Sequence, residues 1–133
     1  MAAETAKATS VPQFVVSMIF VADVHRSIEF YKLLGFEIAN TYEPEGKLCW
    51  AWMERGKARI MLSLAERPLT PGAQVVMFYL YVQQVAGYRD ELIKRGITVG
   101  ELEYPFYSPK GEFRIDDPDG FTILVTETDD LEV

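Results

Sequence analysis

The segment FVADVHRSIEFYKLLGFEI, residues 20–38, recurs in outline 61 residues later as YVQQVAGYRDELIKRGITV, residues 81–99. Valines match near the start of both copies, and a glycine closes the helical pattern in each. The same shift places RIMLSLAE, residues 59–66, on GFTILVTE, residues 120–127. Apolar positions and glycines that recur at a fixed spacing indicate a duplicated structural unit.

Each copy predicts one strand, one helix and three further strands. A segment rich in β-branched and aromatic residues opens each copy and predicts a strand. Apolar residues at helical spacing follow, and the two helices end at Gly35 and Gly96. Asp23 is a good N-cap for the first helix, whereas Gln84 is a weak one for the second. The predicted strands are 15–21, 36–42, 48–54, 58–65, 75–82, 97–103, 111–116 and 121–126.

These elements predict an α+β domain of two βαβββ modules, residues 12–66 and 74–127. Two prolines and a glycine mark residues 67–73 as a linker. Residues 1–11 are predicted to be a flexible polar leader, and residues 128–133 an acidic tail. A helix on one face of each sheet leaves the other face free. The two free faces together would form a cup-like half-barrel.

Charge and composition exclude several classes of partner. The 133-residue chain has a net charge of −7, and the excess acid falls in its second half. An acidic surface repels nucleic acid and anionic membranes and favours cationic partners. No apolar run approaches the roughly 20 residues of a membrane-spanning helix. The lone Cys49 allows no disulfide within the chain, and the leader lacks the apolar core of a secretory signal, so we expect a cytoplasmic protein.

Three segments in order resemble the vicinal oxygen chelate superfamily: VADVHRSIEFYKLLGF (21–36), YVQQVAGYRDELIKRG (81–96) and DPDGFTILV (117–125). The group contains glyoxalase I, extradiol dioxygenases, methylmalonyl-CoA epimerase, fosfomycin-modifying enzymes and bleomycin-resistance proteins. The resemblance covers nearly all of residues 12–127 and implies the cup-like fold. It selects no single activity, because members include lyases, isomerases, oxygenases, transferases and binders.

The resemblance also implies where a metal would bind. In the superfamily, the ligands lie on the cup face of the first and last strand of each module. In this sequence those positions are Val16, Ser63, Met77 and Leu124. None offers the imidazole, carboxylate or thiolate that divalent metals prefer. We therefore expect no metal and no other cofactor, and we interpret His25 as exposed and Cys49 as a small apolar filler.

Aromatic residues are concentrated on the predicted free faces and in the loops at the strand ends. They suit flat, apolar or cationic ligands through stacking and cation–π contact. Trp50 and Trp52 share one strand face, which lies either under the helix or at the cup. The predicted ligand-binding residues are Phe20, Tyr42, Trp50, Trp52, Tyr79, Tyr81, Tyr104, Tyr107, Glu112 and Arg114.

The leading hypothesis is a metal-independent binder similar to the bleomycin-resistance branch, whose members sequester a cationic aromatic antibiotic in a groove shared by two subunits. A small organic ligand and a homodimer are expected. One alternative is a metal-dependent lyase, isomerase or dioxygenase, with a divalent ion held by residues such as Glu66, Glu127, His25 or Glu112. Another is a subunit without a ligand, whose cup is filled by Met18, Met61, Met77 and Leu124.

Overall fold

The computed structural model describes residues 10–128, so residues 1–9 of the leader and 129–133 of the tail lie outside the described part. The elements are β1 (Ser17–Val21), α1 (Val24–Leu34), β2 (Glu37–Tyr42), a 3-10 turn (Pro44–Gly46), β3 (Trp50–Arg55), β4 (Ala58–Leu64), β5 (Met77–Val82), α2 (Val85–Lys94), β6 (Glu112–Asp116) and β7 (Thr122–Glu127). Sheet A has the strand order β1-β4-β3-β2, and sheet B has the order β5-β7-β6. The α+β class is confirmed, and the order of a strand, a helix and further strands recurs, with one strand fewer in the second copy. No helix within residues 10–128 is long and apolar enough to cross a membrane.

Both ends of α1 form as the sequence predicts. The Asp23 carboxylate accepts a hydrogen bond from the Arg26 backbone N–H at 3.1 Å, which caps the first turn. Gly35 has φ +112°, a conformation that side chains disfavour, and the Phe36 N–H donates to the Tyr31 carbonyl at 3.0 Å. Asp23 and Gly35 thus define the helix by local signals alone.

The start of α2 depends instead on a distant residue. Gln84 adopts φ +55° and makes no side-chain capping bond. Glu127, at the end of β7, accepts a hydrogen bond from the Val85 N–H at 2.9 Å. Gln84 therefore occupies the N-cap position and is a weak cap, as predicted, while a carboxylate from a strand of sheet B accepts from the first amide of the helix and interacts favourably with the positive end of the helix dipole.

The strand predicted at residues 97–103 is reduced to two points of contact with β6. The Gly100 N–H donates to the Arg114 carbonyl at 2.8 Å, and Glu103 forms an isolated bridge with Glu112. Between these two contacts the segment advances three residues, from Gly100 to Glu103, whereas β6 spans only two, from Arg114 to Glu112. The extra residue acts as a bulge and interrupts the ladder.

Alternation along the strands assigns the two faces of each sheet as predicted. On the helix side, Ile19, Val21, Leu62 and Val125 are almost completely buried. They belong to one hydrophobic core that includes residues of both modules and of both helices. Burial of this apolar surface is the main force that joins the modules.

The turn Asp117-Pro118-Asp119-Gly120 fastens sheet B to α1. Asp117 accepts hydrogen bonds at 2.9 Å from two backbone amides of its own turn, those of Asp119 and Phe121. Its second oxygen accepts from the Tyr31 hydroxyl at 2.8 Å. Asp119 accepts from the Arg26 guanidinium at 2.9 Å. In this chain the motif is therefore a structural clamp between the modules.

The C-terminal end of α1 forms a second junction with α2 and with Arg95, which follows that helix. The Tyr88 hydroxyl donates to the Leu34 carbonyl at 2.5 Å, and Arg95 donates to the Leu33 carbonyl at 2.7 Å. These bonds satisfy carbonyls that a helix end otherwise leaves without partners. Together with the clamp they hold the helix sides of the two modules toward each other.

Candidate functional site

The free face of sheet A carries a continuous aromatic surface. The strand register aligns Phe20, Ser63, Trp50 and Tyr42 in one row across all four strands. The neighbouring row holds Met18, Met61, Trp52 and Asn40. Both tryptophans thus lie on the free face, which resolves the choice that the sequence left open. Their position follows from pairing with Ser63 and Met61, whose neighbours in sequence point to the core.

The free face of sheet B is also aromatic but more polar. One row contains Tyr79, Leu124 and Arg114, and the next contains Tyr81, Thr126 and Glu112. The rings of Tyr79 and Tyr81 stack with their centroids 6.1 Å apart. Arg114 is mostly exposed and donates to Asp116 at 3.1 Å.

Glu112 lies beneath the loop that precedes β6 and is only 7% exposed. The Tyr107 hydroxyl donates to Glu112 Oε2 at 3.2 Å, whereas Oε1 has no hydrogen-bond partner. This hydrogen bond is the main cause that raises the pKa of Tyr107 above 10. Beside them, the hydroxyls of Ser108 and Thr126 share a hydrogen bond. Ser108 was not predicted from the sequence. Its partner Thr126, two residues after Leu124, lies on the same free face as that residue.

The loop residues predicted at the cup mouth are exposed. Tyr104, Phe106 and Tyr107 present large aromatic surfaces to solvent, and the rings of Phe106 and Tyr107 meet edge to face. The hydrogen bond from Tyr107 to Glu112 places this loop beside the end of sheet B that carries Tyr81. The structure therefore gathers four of the predicted residues, Tyr79, Tyr81, Tyr107 and Glu112, in one region of sheet B.

Large free-face side chains of both sheets, such as Phe20 and Tyr81, stay at least half exposed in a single chain. Helix-side residues of both sheets, including Ile60, Leu80 and Ile123, line a common crevice of about 250 Å³. No hydrogen bond, ion pair or ring contact recorded within residues 10–128 joins a free-face side chain of sheet A to one of sheet B. The predicted set is thus split into a sheet A half and a sheet B half, both open to solvent.

The positions at which the superfamily holds a metal do not suit one in this chain. Ser63, Met77 and Leu124 lie on the free faces, and Val16 directly precedes β1. One hydroxyl, one thioether and two aliphatic side chains offer no charged ligand. Within residues 10–128, no three His, Cys, Asp or Glu side chains gather in a group that could hold a metal ion.

The alternative ligands are dispersed over the molecule. Glu127 caps α2, His25 and Glu66 are exposed, and Glu112 is buried beside Tyr107. Cys49 is half-buried, and its thiol donates to the Lys47 carbonyl at 3.4 Å. The methionines proposed to fill the cup are partly exposed as well, so they do not enclose a filled core on the free face.

Comparison with known proteins identifies a family and several structures of similar fold. The family model described as "Glyoxalase/Bleomycin resistance protein/Dioxygenase superfamily" matches residues 12–125. A search of curated protein sequences found no match.

Three solved structures illustrate the likeness of fold. A bleomycin-binding protein complexed with bleomycin gives a TM-score of 0.74 at 17% identity, covering 89% of this chain and 100% of that one. TnmS3, an antibiotic-binding protein from Streptomyces sp. CB03234, gives 0.70 at 19% identity, with coverages of 89% and 97%. The bleomycin-binding protein of bleomycin-producing Streptomyces verticillus, complexed with copper(II)-bleomycin, gives 0.68 at 20% identity, with coverages of 90% and 100%. At such identities the likeness shows the fold alone.

Proposed function

Because the chain belongs to the glyoxalase/bleomycin resistance protein/dioxygenase superfamily, we propose that it is a metal-independent binder that sequesters a cationic or aromatic small molecule. The observation that carries this proposal is the exposure of large apolar side chains on both free faces. Phe20, Tyr79 and Tyr81 are 50%, 48% and 61% exposed, although all three lie within strands. Contiguous exposed apolar surfaces of this kind mark binding sites for ligands or proteins.

We further propose that the ligand groove forms between two copies of the chain. The sheet A face of one copy would lie opposite the sheet B face of its partner, which would cover the large side chains that stay exposed on both faces of a single copy. Each groove would then combine the Phe20–Trp50–Tyr42 row with the Tyr79–Tyr81 pair. The twofold relation between copies would produce two equal grooves.

The side chains of such a groove suit a flat ring with a positive charge. Tryptophan, tyrosine and phenylalanine rings stack on planar groups and attract cations through their faces. The net charge of −7 attracts cationic ligands over a longer range. The three similar solved structures are those of bleomycin-binding or antibiotic-binding proteins, which supports the choice of ligand class.

Tryptophan fluorescence provides the direct test, because the chain has two tryptophans and both lie on the free face of sheet A. Titration with bleomycin should quench their emission in a saturable way, and free N-acetyltryptophanamide corrects for absorption by the ligand. Trp50→Phe should weaken both the signal and the affinity. Lack of saturable quenching and of heat at high micromolar bleomycin would contradict binding of that ligand class.

Metal independence and assembly are tested separately. Quenching should be unchanged after treatment with EDTA, and loss of binding that added zinc, nickel, manganese or iron restores would favour the enzyme alternative. Light scattering should give twice the mass of one chain. A monomer that binds ligand with full affinity would contradict the shared groove but not the binding function.

A further inference from the structure

The geometry points to Glu112 as the residue that recognises the positive charge of the ligand, with the Tyr107 hydroxyl holding that position in the free protein. This inference rests on the proposed function and adds the chemical class of the charged group, a primary ammonium, amidinium or guanidinium. Each of these groups carries several N–H donors. In the described part of the chain, the hydrogen bond to the Glu112 carboxylate comes from a hydroxyl, that of Tyr107.

The environment of Glu112 explains this choice. Glu112 is only 7% exposed, yet within residues 10–128 its Oε1 has no donor, and the donor described for Oε2 is the Tyr107 hydroxyl. A buried acceptor without a donor costs free energy that a cationic N–H group would recover. The strand register places Glu112 in the row of Thr126 and Tyr81, on the face that the groove uses.

A second carboxylate lies opposite Glu112, because Glu103 is its bridge partner across the sheet. The exposed Arg114 on the same strand pairs with Asp116 at 3.1 Å. Two carboxylates side by side produce a local negative potential, which favours a positively charged ligand.

Tyr107 can give way to such a ligand. It lies on an exposed loop, and its hydrogen bond to Glu112 is long at 3.2 Å. A cationic N–H donor forms a stronger, charge-assisted bond with a carboxylate than a neutral hydroxyl does. Replacement of the hydroxyl by the ligand would leave the Tyr107 and Tyr81 rings beside the charge, where their faces attract it.

The test compares two planar probes that differ mainly in charge, 4-aminobenzamidine and the neutral 4-aminobenzamide, by isothermal titration calorimetry. A charge-assisted bond to a shielded carboxylate corresponds to roughly a tenfold or greater preference for the amidinium in the wild-type protein. Glu112→Gln should reduce this preference to less than about threefold, because the isosteric amide keeps the shape but not the charge. Tyr107→Phe should increase amidinium affinity by about two- to fivefold, since it removes the competing donor.

Asp90→Asn is the matched control, because it removes one exposed carboxylate of α2 and leaves the free face intact. It should keep the wild-type preference, and thermal unfolding should show that Glu112→Gln is folded. An unchanged preference in Glu112→Gln would refute the inference. Equal binding of both probes to the wild type would refute it while supporting the proposed function, whereas binding of neither would count against both.

Discussion

Replacement of Tyr31 by phenylalanine removes the hydroxyl that holds the β6–β7 turn against α1. Tyr31 is 2% exposed, and its hydroxyl donates to Asp117 Oδ2 at 2.8 Å. The phenylalanine ring keeps the edge-to-face contacts with Phe30 and Phe36, so the packing changes little. Asp117 Oδ2, however, loses its donor in a buried site. Loss of a hydrogen bond to such a group costs about 1.5–3 kcal/mol, so we expect the free energy of unfolding to fall by about 2 kcal/mol.

Equilibrium unfolding in urea measures this change, with the protein concentration held constant in case the folded form is a dimer. The urea dependence of the free energy should be the same in both proteins, while the midpoint moves to lower urea. Tyr42→Phe is the control, because Tyr42 is 60% exposed and its change should be less than about 0.5 kcal/mol. If Tyr31→Phe is as stable as the wild type, the clamp does not depend on this hydrogen bond.

Three further predictions concern the Asp117 clamp, the contact of Tyr88 with α1 and the Glu127 cap of α2. Burial raises the pKa of Asp117 above 3.8, so the stability that its protonated form contributes is fully present below that pH and is lost as the pH rises through the raised pKa. In urea unfolding, Asp117→Asn should therefore lose more free energy of unfolding, relative to the wild type, at about pH 3.5 than at neutral pH. The opposite trend would contradict the burial argument. Burial likewise raises the pKa of Tyr88 to about 12, so the wild type should lose stability between pH 10 and about 12. In thermal unfolding over that pH range, Tyr88→Phe should lose less stability than the wild type. If both proteins lose the same stability with pH, the titration of Tyr88 does not contribute. Glu127→Ala should lower the free energy of unfolding by about 1 kcal/mol in urea, since it removes the cap of α2, whereas Glu66→Ala should have almost no effect.

Local signals in the sequence predicted much of the fold. Asp23 and Gly35 act through atoms only a few residues away, so the limits of α1 follow from side-chain chemistry and backbone preference. The alternation of apolar residues likewise assigns the two faces of each strand, because a β-strand points successive side chains in opposite directions. These rules needed no knowledge of which elements become neighbours.

The sequence predicted less where neighbours distant in sequence decide the outcome. The carboxylate that caps α2 comes from Glu127, and the bulge opposite β6 depends on how Gly100 meets Arg114. Glu112 was predicted as a ligand-binding residue, and nothing in the sequence indicated that the loop carrying Tyr107 covers it. The face occupied by Trp50 likewise became clear only from its pairing with Ser63.

The two faces of each sheet separate stability from the proposed binding in this chain. Residues that join the modules, such as Tyr31 and Asp117, lie on the helix side, where burial makes substitutions costly. The positions at which the superfamily holds a metal lie at or beside the opposite face, where Ser63 and Leu124 are only partly buried. A side chain there can change without opening the core, so the fold does not require metal ligands. The Asp-Pro-Asp-Gly turn therefore indicates how the modules are joined and not which ligand is bound. The chemistry of the proposed groove has to be inferred from the free-face residues themselves.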